Sequence, residues 1–274
     1  MNPLRFLHIP KTAGTTLNGI LDRQYRNQRR FVFNGNIASD IKRFETLSEE
    51  DQNKVTLFSG HASIVTGIKQ ADNAVMITLL RDPIDRVKSF CQHVSEGKSP
   101  YLIRDSPPES FSLDKFLESG NSELSNLQTK MLVGRGSCIL PPLECTSATE
   151  TANLALYNLF NKIECFGLQE HFDESLLLLS SYFHWQTPIY VSKNKKNPRK
   201  LLQFQRRHLE RIAALNAIDL GVYERAKEHF LGQVKEVAHI EAKLKRFRLI
   251  NKLGPLVVPW RSLFDSLSKK FLMF

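Results

Sequence analysis

The chain is expected to fold as a three-layer α/β protein around a central parallel sheet. Three observations predict this. Short apolar runs alternate with segments whose apolar residues recur at helical spacing, the order that lays helices on both faces of a parallel sheet. The run Ala74–Leu80 is apolar almost throughout, as a strand buried on both faces requires. The stretch Leu4–Leu17 (LRFLHIPKTAGTTL) reads as strand, tight loop and helix start.

Each element has its own signal. The first strand ends at His8-Ile9, and a loop with Pro10, Lys11, Thr12 and Gly14 follows. Thr15 and Thr16 open a helix whose apolar face is Leu17, Ile20 and Leu21. It is expected to continue through Asn18–Arg30 and to end in the basic cluster Arg23, Arg26, Arg29 and Arg30. Phe31-Val32-Phe33 reads as a short strand stopped by Asn34-Gly35-Asn36. Ser48 suits the N-cap of a short acidic helix over Leu47–Lys54. Val55–Ser59 reads as a core strand ending at Gly60-His61. After Ala74–Leu80 comes Arg81-Asp82-Pro83, with Asp82 at the N-cap and Pro83 at the first position of a helix over Ile84–Val94.

Glu96–Ser112 is loop-like, with Gly97, Pro100, Pro107 and Pro108. Helical spacing returns at Leu113–Leu117, Asn121–Leu132 and Thr149–Lys162. Between the last two lies a Gly/Pro/Cys loop, Gly134–Thr146. Cys165–Leu168 is a short strand, His171–Phe183 a Leu-rich helix, Ile189–Lys200 a basic loop, and Leu201–Leu231 two helical segments. These elements form one expected domain, residues 1–232. Residues 233–274 form a basic amphipathic segment that either packs on the domain, is disordered, or touches a membrane surface or a partner.

Of the 274 residues, 42% are hydrophobic and 24% charged, as in soluble globular proteins. The net charge of +10 suits an anionic partner such as a nucleotide, a polyanionic glycan, nucleic acid or an acidic membrane. No interleaving of aromatic and basic residues marks an RNA-binding module, so nucleic acid is the least supported. Four Cys are present and no C-x-x-C pair, which gives no support to a zinc ribbon or a thioredoxin-like site. Cys138 and Cys145 flank a Pro-Pro loop, close enough in sequence for a disulfide in an oxidising compartment.

Ligands in open α/β sheets sit outside the carboxyl ends of the strands. The loop at Lys11–Thr16, Gly60-His61 and Arg81-Asp82-Pro83 all fall at strand ends and should gather on one rim. The first is suited to phosphate. The opening N–H groups of a helix have no internal partner, Gly14 permits close approach, Thr15 and Thr16 add hydroxyls, and Lys11 adds charge. It is not a Walker A loop, because the Lys precedes the only Gly and no Gly-Lys-Ser/Thr triplet exists. The simplest alternative is an ordinary strand-to-helix turn with a solvated Lys.

Pro10-Lys11-Thr12-Ala13-Gly14-Thr15-Thr16 resembles the 5′-phosphosulfate loop of sulfotransferases that use 3′-phosphoadenosine-5′-phosphosulfate (PAPS). The closer resemblance is to the carbohydrate branch that includes heparan sulfate 2-O-sulfotransferase. Leu80–Ser89 (LRDPIDRVKS) resembles that family's 3′-phosphate motif, R-D-P-x-x-R-x-x-S. The resemblance spans about residues 4–230. It implies a P-loop-like nucleotide-binding fold and transfer of a sulfuryl group from PAPS to a sugar hydroxyl. Adenosine 3′,5′-bisphosphate is the implied product, with no metal.

By that resemblance Lys11, Thr12, Ala13, Gly14, Thr15 and Thr16 hold the 5′-phosphate, and Arg81 and Ser89 the 3′-phosphate. Lys11 also neutralises the leaving phosphate oxygen. Arg86 is read as structural, pairing with Asp82 or Asp85; Arg81 instead has the alternative of a plain salt bridge to Asp82. The family places two histidines around a Gly where this chain has Ser59-Gly60-His61. His61 is therefore the expected base, kept neutral by Lys11 and Arg81 nearby, against the alternative of a core histidine. His8, inside the first strand, is read as structural. The late basic loop Tyr190–Lys200 implies Ser192 and Arg199 as further nucleotide ligands. Asn126–Gly134 (NLQTKMLVG) resembles a family stretch in which Gln128 and Lys130 face the acceptor.

Animal members of the family are Golgi proteins with an N-terminal anchor. Here Met1 precedes the first strand by a few residues, so a bacterial cytoplasmic protein is expected, or a Golgi-luminal one trimmed of its anchor. No apolar run approaches the ~18 residues of a membrane span. Two other function classes fit less well: a kinase-like P-loop enzyme, which the missing triplet disfavours, and a non-catalytic polyanion binder using the basic charge.

Overall fold

The computed structural model describes residues 3–26, 28–134, 147–190 and 201–257. The first half runs β1 (Leu4–Leu7), α1 (Gly14–Gln24), β2 (Arg29–Phe33), α2 (Ile37–Glu45), α3 (Glu49–Asn53), β3 (Val55–Gly60), α4 (Lys69–Asp72), β4 (Val75–Leu80) and α5 (Pro83–Ser95). Then come α6 (Leu113–Glu118), α7 (Leu127–Val133), α8 (Ala148–Asn161), β5 (Cys165–Leu168), α9 (Phe172–Phe183), α10 (Arg206–Leu215), α11 (Ala217–Glu236) and α12 (Ile240–Val257).

The five strands form one parallel sheet in the order β2-β3-β1-β4-β5. Apolar residues alternate between its faces. Leu4, Phe6, Leu57, Ile77 and Leu79 pack under α1 and α9 with Phe247 of α12. Leu7, Met76, Leu80, Phe166 and Leu168 pack under α7, α8 and α11. The three-layer α/β/α arrangement follows.

Chain direction opens a crevice on the rim. From β1 the chain turns toward β2 on one side of the sheet, and from β4 it turns toward β5 on the other. A crevice opens where connections diverge, outside the carboxyl ends of β1 and β4. Leu7 pairs with Gly60 and Thr78 there, and Thr78 Oγ1 donates to the Leu7 carbonyl at 2.8 Å.

Several boundaries differ from expectation. The first helix stops at Gln24, and Arg29 and Arg30 begin β2 instead of ending a helix. Pairing with β3 decides this, and Arg30 spends its guanidinium on Ser59, Asn18 and Asp22. Helix α2 has no counterpart in the sequence reading; Asn36 caps it by accepting from Ser39 N at 3.1 Å. The expected helix Asn121–Leu132 is broken. Ser122–Leu124 forms a 3-10 turn, and Asn126 adopts a left-handed conformation (φ 44°) before α7. The break has tertiary causes. Asn126 Oδ1 accepts from Ile218 N and Asp219 N, and Asn126 N donates to Asn216 Oδ1.

The boundary expected at 232/233 falls inside α11, and α12 lies on α9. Leu244 and Phe247 are buried, and Arg248 pairs with Asp173 and Glu174. Lys243, Lys245 and Arg246 are exposed. No described helix is long and apolar enough to cross a membrane. Cys138 and Cys145, Ser192 and Arg199, and residues 258–274 lie outside the described residues.

Candidate active site

A cleft of about 640 Å³ opens over the carboxyl ends of β1, β3 and β4. Of the residues singled out in the sequence, Lys11, Ala13, Gly14, Thr15, Thr16, His61, Arg81 and Ser89 line it. The structure therefore brings three separate motifs to one place.

The β1–α1 turn is backbone-driven. Lys11 and Ala13 both take positive φ, 71° and 69°. A non-Gly residue there costs energy that the surrounding structure must supply, a pattern common at ligand sites. Ala13 occupies the N-cap of α1 and brings no capping side chain; its carbonyl accepts from Thr16 N at 3.0 Å, and no capping side chain takes the N–H groups of Gly14 and Thr15. Thr15 and Thr16 face the cleft. Thr12 does not: it is fully buried and its Oγ1 donates to the Ile9 carbonyl at 2.9 Å. Its hydroxyl braces the turn instead of binding an anion.

Gly14 is required for a different reason than expected. A Cβ there would stand 2.0 Å from the imidazole of His8. The close approach that Gly14 permits is that of His8, which follows β1 instead of lying inside it and lines the cleft. Arg30 Nη2 donates to Asn18 Oδ1, which fixes the amide so that Asn18 Nδ2 reaches His8 Nδ1 at 3.4 Å. Burial, then the charges of His61, Arg30 and Lys11, hold His8 well below the usual imidazole range.

His61 is set by the end of β3. Gly60 has φ 124°, and a Cβ there would meet the Phe33 carbonyl at 2.3 Å, so only glycine makes this corner. Beneath the following loop lies Arg5, which is 1% exposed and donates to the Ser63 and Ile64 carbonyls and to Asp72. Burial lowers its pKa to about 10, opposed by Asp72. His61 Nδ1 lies 2.9 Å from the His8 carbonyl. A carbonyl only accepts, so Nδ1 carries the proton and Nε2 keeps its lone pair. Burial is the main cause lowering the His61 pKa; Lys11 adds to it, while Glu123 and the His8 carbonyl oppose it. Of the two charges expected to keep His61 neutral, Lys11 contributes and Arg81 is not among the causes, and burial outweighs both.

Ser59, at the position of the family's first histidine, is buried and accepts from Arg30 Nε at 2.8 Å. A second imidazole is nevertheless present. The His8 ring, from the residue just after β1, lies 4.4 Å from that of His61.

Arg81 does not form the plain salt bridge to Asp82. Its Nη1 donates to the Lys11 carbonyl at 3.1 Å, tying the two phosphate-type motifs together. Asp82 caps α5, accepting from Asp85 N at 2.9 Å. Burial lowers the Arg81 pKa against the pull of Glu170, Asp85 and Asp82. Its Nε is buried without a protein partner among the described residues. Ser89 stands on the same cleft wall two turns along α5. Arg86 is fully buried and donates through Nη2 to the Glu123 carbonyl at 2.6 Å, not to Asp82 or Asp85.

Gln128 and Lys130 do not line the cleft. Gln128 is buried and clamps the Arg81 backbone from both sides, accepting from its N–H at 3.0 Å and donating to its carbonyl at 2.7 Å. Lys130 donates to Ser125 Oγ and the Ser122 carbonyl. Helical facing turns both inward, which the motif alone does not disclose.

Sequence reasoning missed Asn34, Asn36, His93, Lys98, Tyr101, Glu123 and Gln169, all of which line the cleft. His93 carried a usable signal, since it follows Ser89 at the (i, i+4) spacing of one helix face. Burial, with Lys11 and Lys98, lowers its pKa to about 4. No family model matches the chain, and no curated protein matches it.

Proposed function

We propose that the cleft is the active site of a PAPS-dependent O-sulfotransferase of the carbohydrate type, on a P-loop-like nucleotide-binding fold. One observation carries the reading: a helix start with its lysine, a second helix with Arg81 and Ser89, and a neutral imidazole share one cleft. The residues suit a donor phosphorylated at both ends of its ribose. Arg81 makes no ion pair among the described residues, and its Nε is an unpartnered buried donor. Such a guanidinium is matched by a phosphate. The opposite end of the donor lies at Lys11 and the first turn of α1.

When bound, the donor supplies a sulfuryl group, whose S–O bond to phosphate breaks as the acceptor oxygen bonds to sulfur. His61 Nε2 takes the proton of that acceptor hydroxyl. Lys11 neutralises the charge left on the phosphate oxygen, an interaction stronger in the transition state than before it. Gln128 holds the Arg81 backbone in place. His8 fixes the tautomer of His61 through its carbonyl. The acceptor is a hydroxylated compound, a glycan by the resemblance.

Calorimetry of the full chain with adenosine 3′,5′-bisphosphate and with AMP tests this. The bisphosphate is expected to bind far more tightly, because only it engages Arg81 and Ser89. Equal affinity removes the basis of the assignment. Tight ATP binding that needs Mg²⁺ would favour a kinase-like enzyme instead.

A further inference from the structure

The cleft has a second wall that donor binding leaves unused. Glu123, on the 3-10 turn Ser122–Leu124, faces it and is 6% exposed. Tyr101, 59% exposed, stands at the rim, and its hydroxyl donates to Glu123 Oε1. The turn is held firmly. Asn121 Oδ1 accepts from Glu123 N at 2.9 Å, and buried Arg86 donates to the Glu123 carbonyl. Among the described residues, none donates to Glu123 Oε2, and no lysine or arginine pairs with the carboxylate. Glu123 lines the same cleft as His61, and its charge acts on that imidazole.

A carboxylate accepts and does not donate, so it selects a hydroxyl or another donor. An acidic group at this place would meet like charge in a poorly solvated wall. The Tyr101 ring beside it offers an apolar face with its polar tip already engaged. An aromatic face next to one oriented acceptor suits the apolar face and hydroxyl edge of a sugar. The basic excess of the chain points the other way, toward an acidic acceptor; of the cations that line the cleft, however, Lys98 pairs with Glu96, and Lys11 and Arg81, joined through the Lys11 carbonyl, belong to the wall assigned to the donor.

We infer that Tyr101 and Glu123 form the acceptor subsite, and that it takes an uncharged hydroxylated ring, stacked on Tyr101 with a hydroxyl donating to Glu123. This rests on the sulfotransfer reading for the chemistry, but binding of the sugar needs no donor.

The test is binding of short neutral hexose and N-acetylhexosamine oligosaccharides, and of uronic-acid oligosaccharides of the same length, to the full chain by saturation-transfer NMR and titration. Each is run with and without adenosine 3′,5′-bisphosphate. At least one neutral sugar is expected to bind about tenfold or more tighter than any uronate, as like-charge exclusion requires. Tyr101→Ala should weaken the neutral sugar several-fold, and Glu123→Gln should narrow the preference by admitting the uronate. Bisphosphate affinity should hold in both. Tighter uronate binding, no sugar binding at all, or a neutral-sugar affinity indifferent to Tyr101→Ala overturns the inference. If Glu123→Gln does not fold, the exposed Tyr101 decides. A neutral sugar that binds to a protein with no affinity for the bisphosphate defeats the donor reading and leaves the subsite standing.

Discussion

The side of the cleft proposed for the donor comes from two contiguous stretches, residues 11–16 and 81–89, each a strand end running into a helix. The opposite wall joins Tyr101 to Glu123 across 22 residues of turns and one short helix. The first wall is cationic and made largely of backbone N–H groups and two basic side chains. The second is aromatic and acidic. The contrast teaches where chemistry is written compactly. A phosphate site needs a turn and a helix start, which are local, whereas a sugar face needs a ring and an acceptor at a set distance, which any two loops can supply.

The sharpest way to break the comparison is His61→Ala. Loss of the base should lower turnover by roughly 10²–10⁴ while bisphosphate binding persists. Turnover that survives would move the base to Glu123 and erase the division of labour between the walls. Arg81→Gln comes next. It should weaken bisphosphate binding by about 10- to 100-fold, the value of a charge-assisted hydrogen bond, and leave AMP unchanged. Equal losses for both ligands would place Arg81 with the 5′-phosphate.

Gly14→Ala probes the packing under the donor wall. Its Cβ would collide with the His8 ring, and urea midpoints should show a loss of about 1–3 kcal/mol. Adding His8→Ala should restore much of it, a coupling expected only for touching residues. Additive effects would mean that the ring moves aside freely.

The smallest effects are in pH. Burial lowers the His61 pKa, so its basic form persists into mild acid. The acid limb of kcat/KM should therefore fall below the ordinary imidazole value of about 6.5. A limb above it would contradict the burial-driven lowering of the His61 pKa. His93 acts on stability with the same sign. It has a pKa of about 4 when folded and takes up a proton more readily when unfolded. Its contribution is intact above about 6.5 and is lost as pH falls toward 4. His93→Gln should flatten the stability profile within that window.

Much of the wall proposed for the donor was legible because its signals are short-range. Asp82 caps α5, Pro83 follows it, and Ser48 caps α3, all as their positions suggest. The failures share a cause. Thr12 is a hydroxyl in a phosphate-type loop, yet it turns to Ile9. Gln128 and Lys130 sit in a family-like stretch, yet the rotation of α7 is decided by Asn126 and Asp219, whose partners lie about 90 residues away. Arg5 lies within an apolar run and is buried among carbonyls that come from the loop after β3.

By itself the sequence determined the alternation of strands and helices, the parallel sheet and the rim on which three motifs converge, because periodicity and caps act within a few residues. Only the tertiary structure decided that His8 stands against His61, that Gln128 grips Arg81, and that Tyr101 and Glu123 meet. Those placements depend on side chains brought together from distant strands and turns, and each is settled by which buried polar group finds a partner when the layers close.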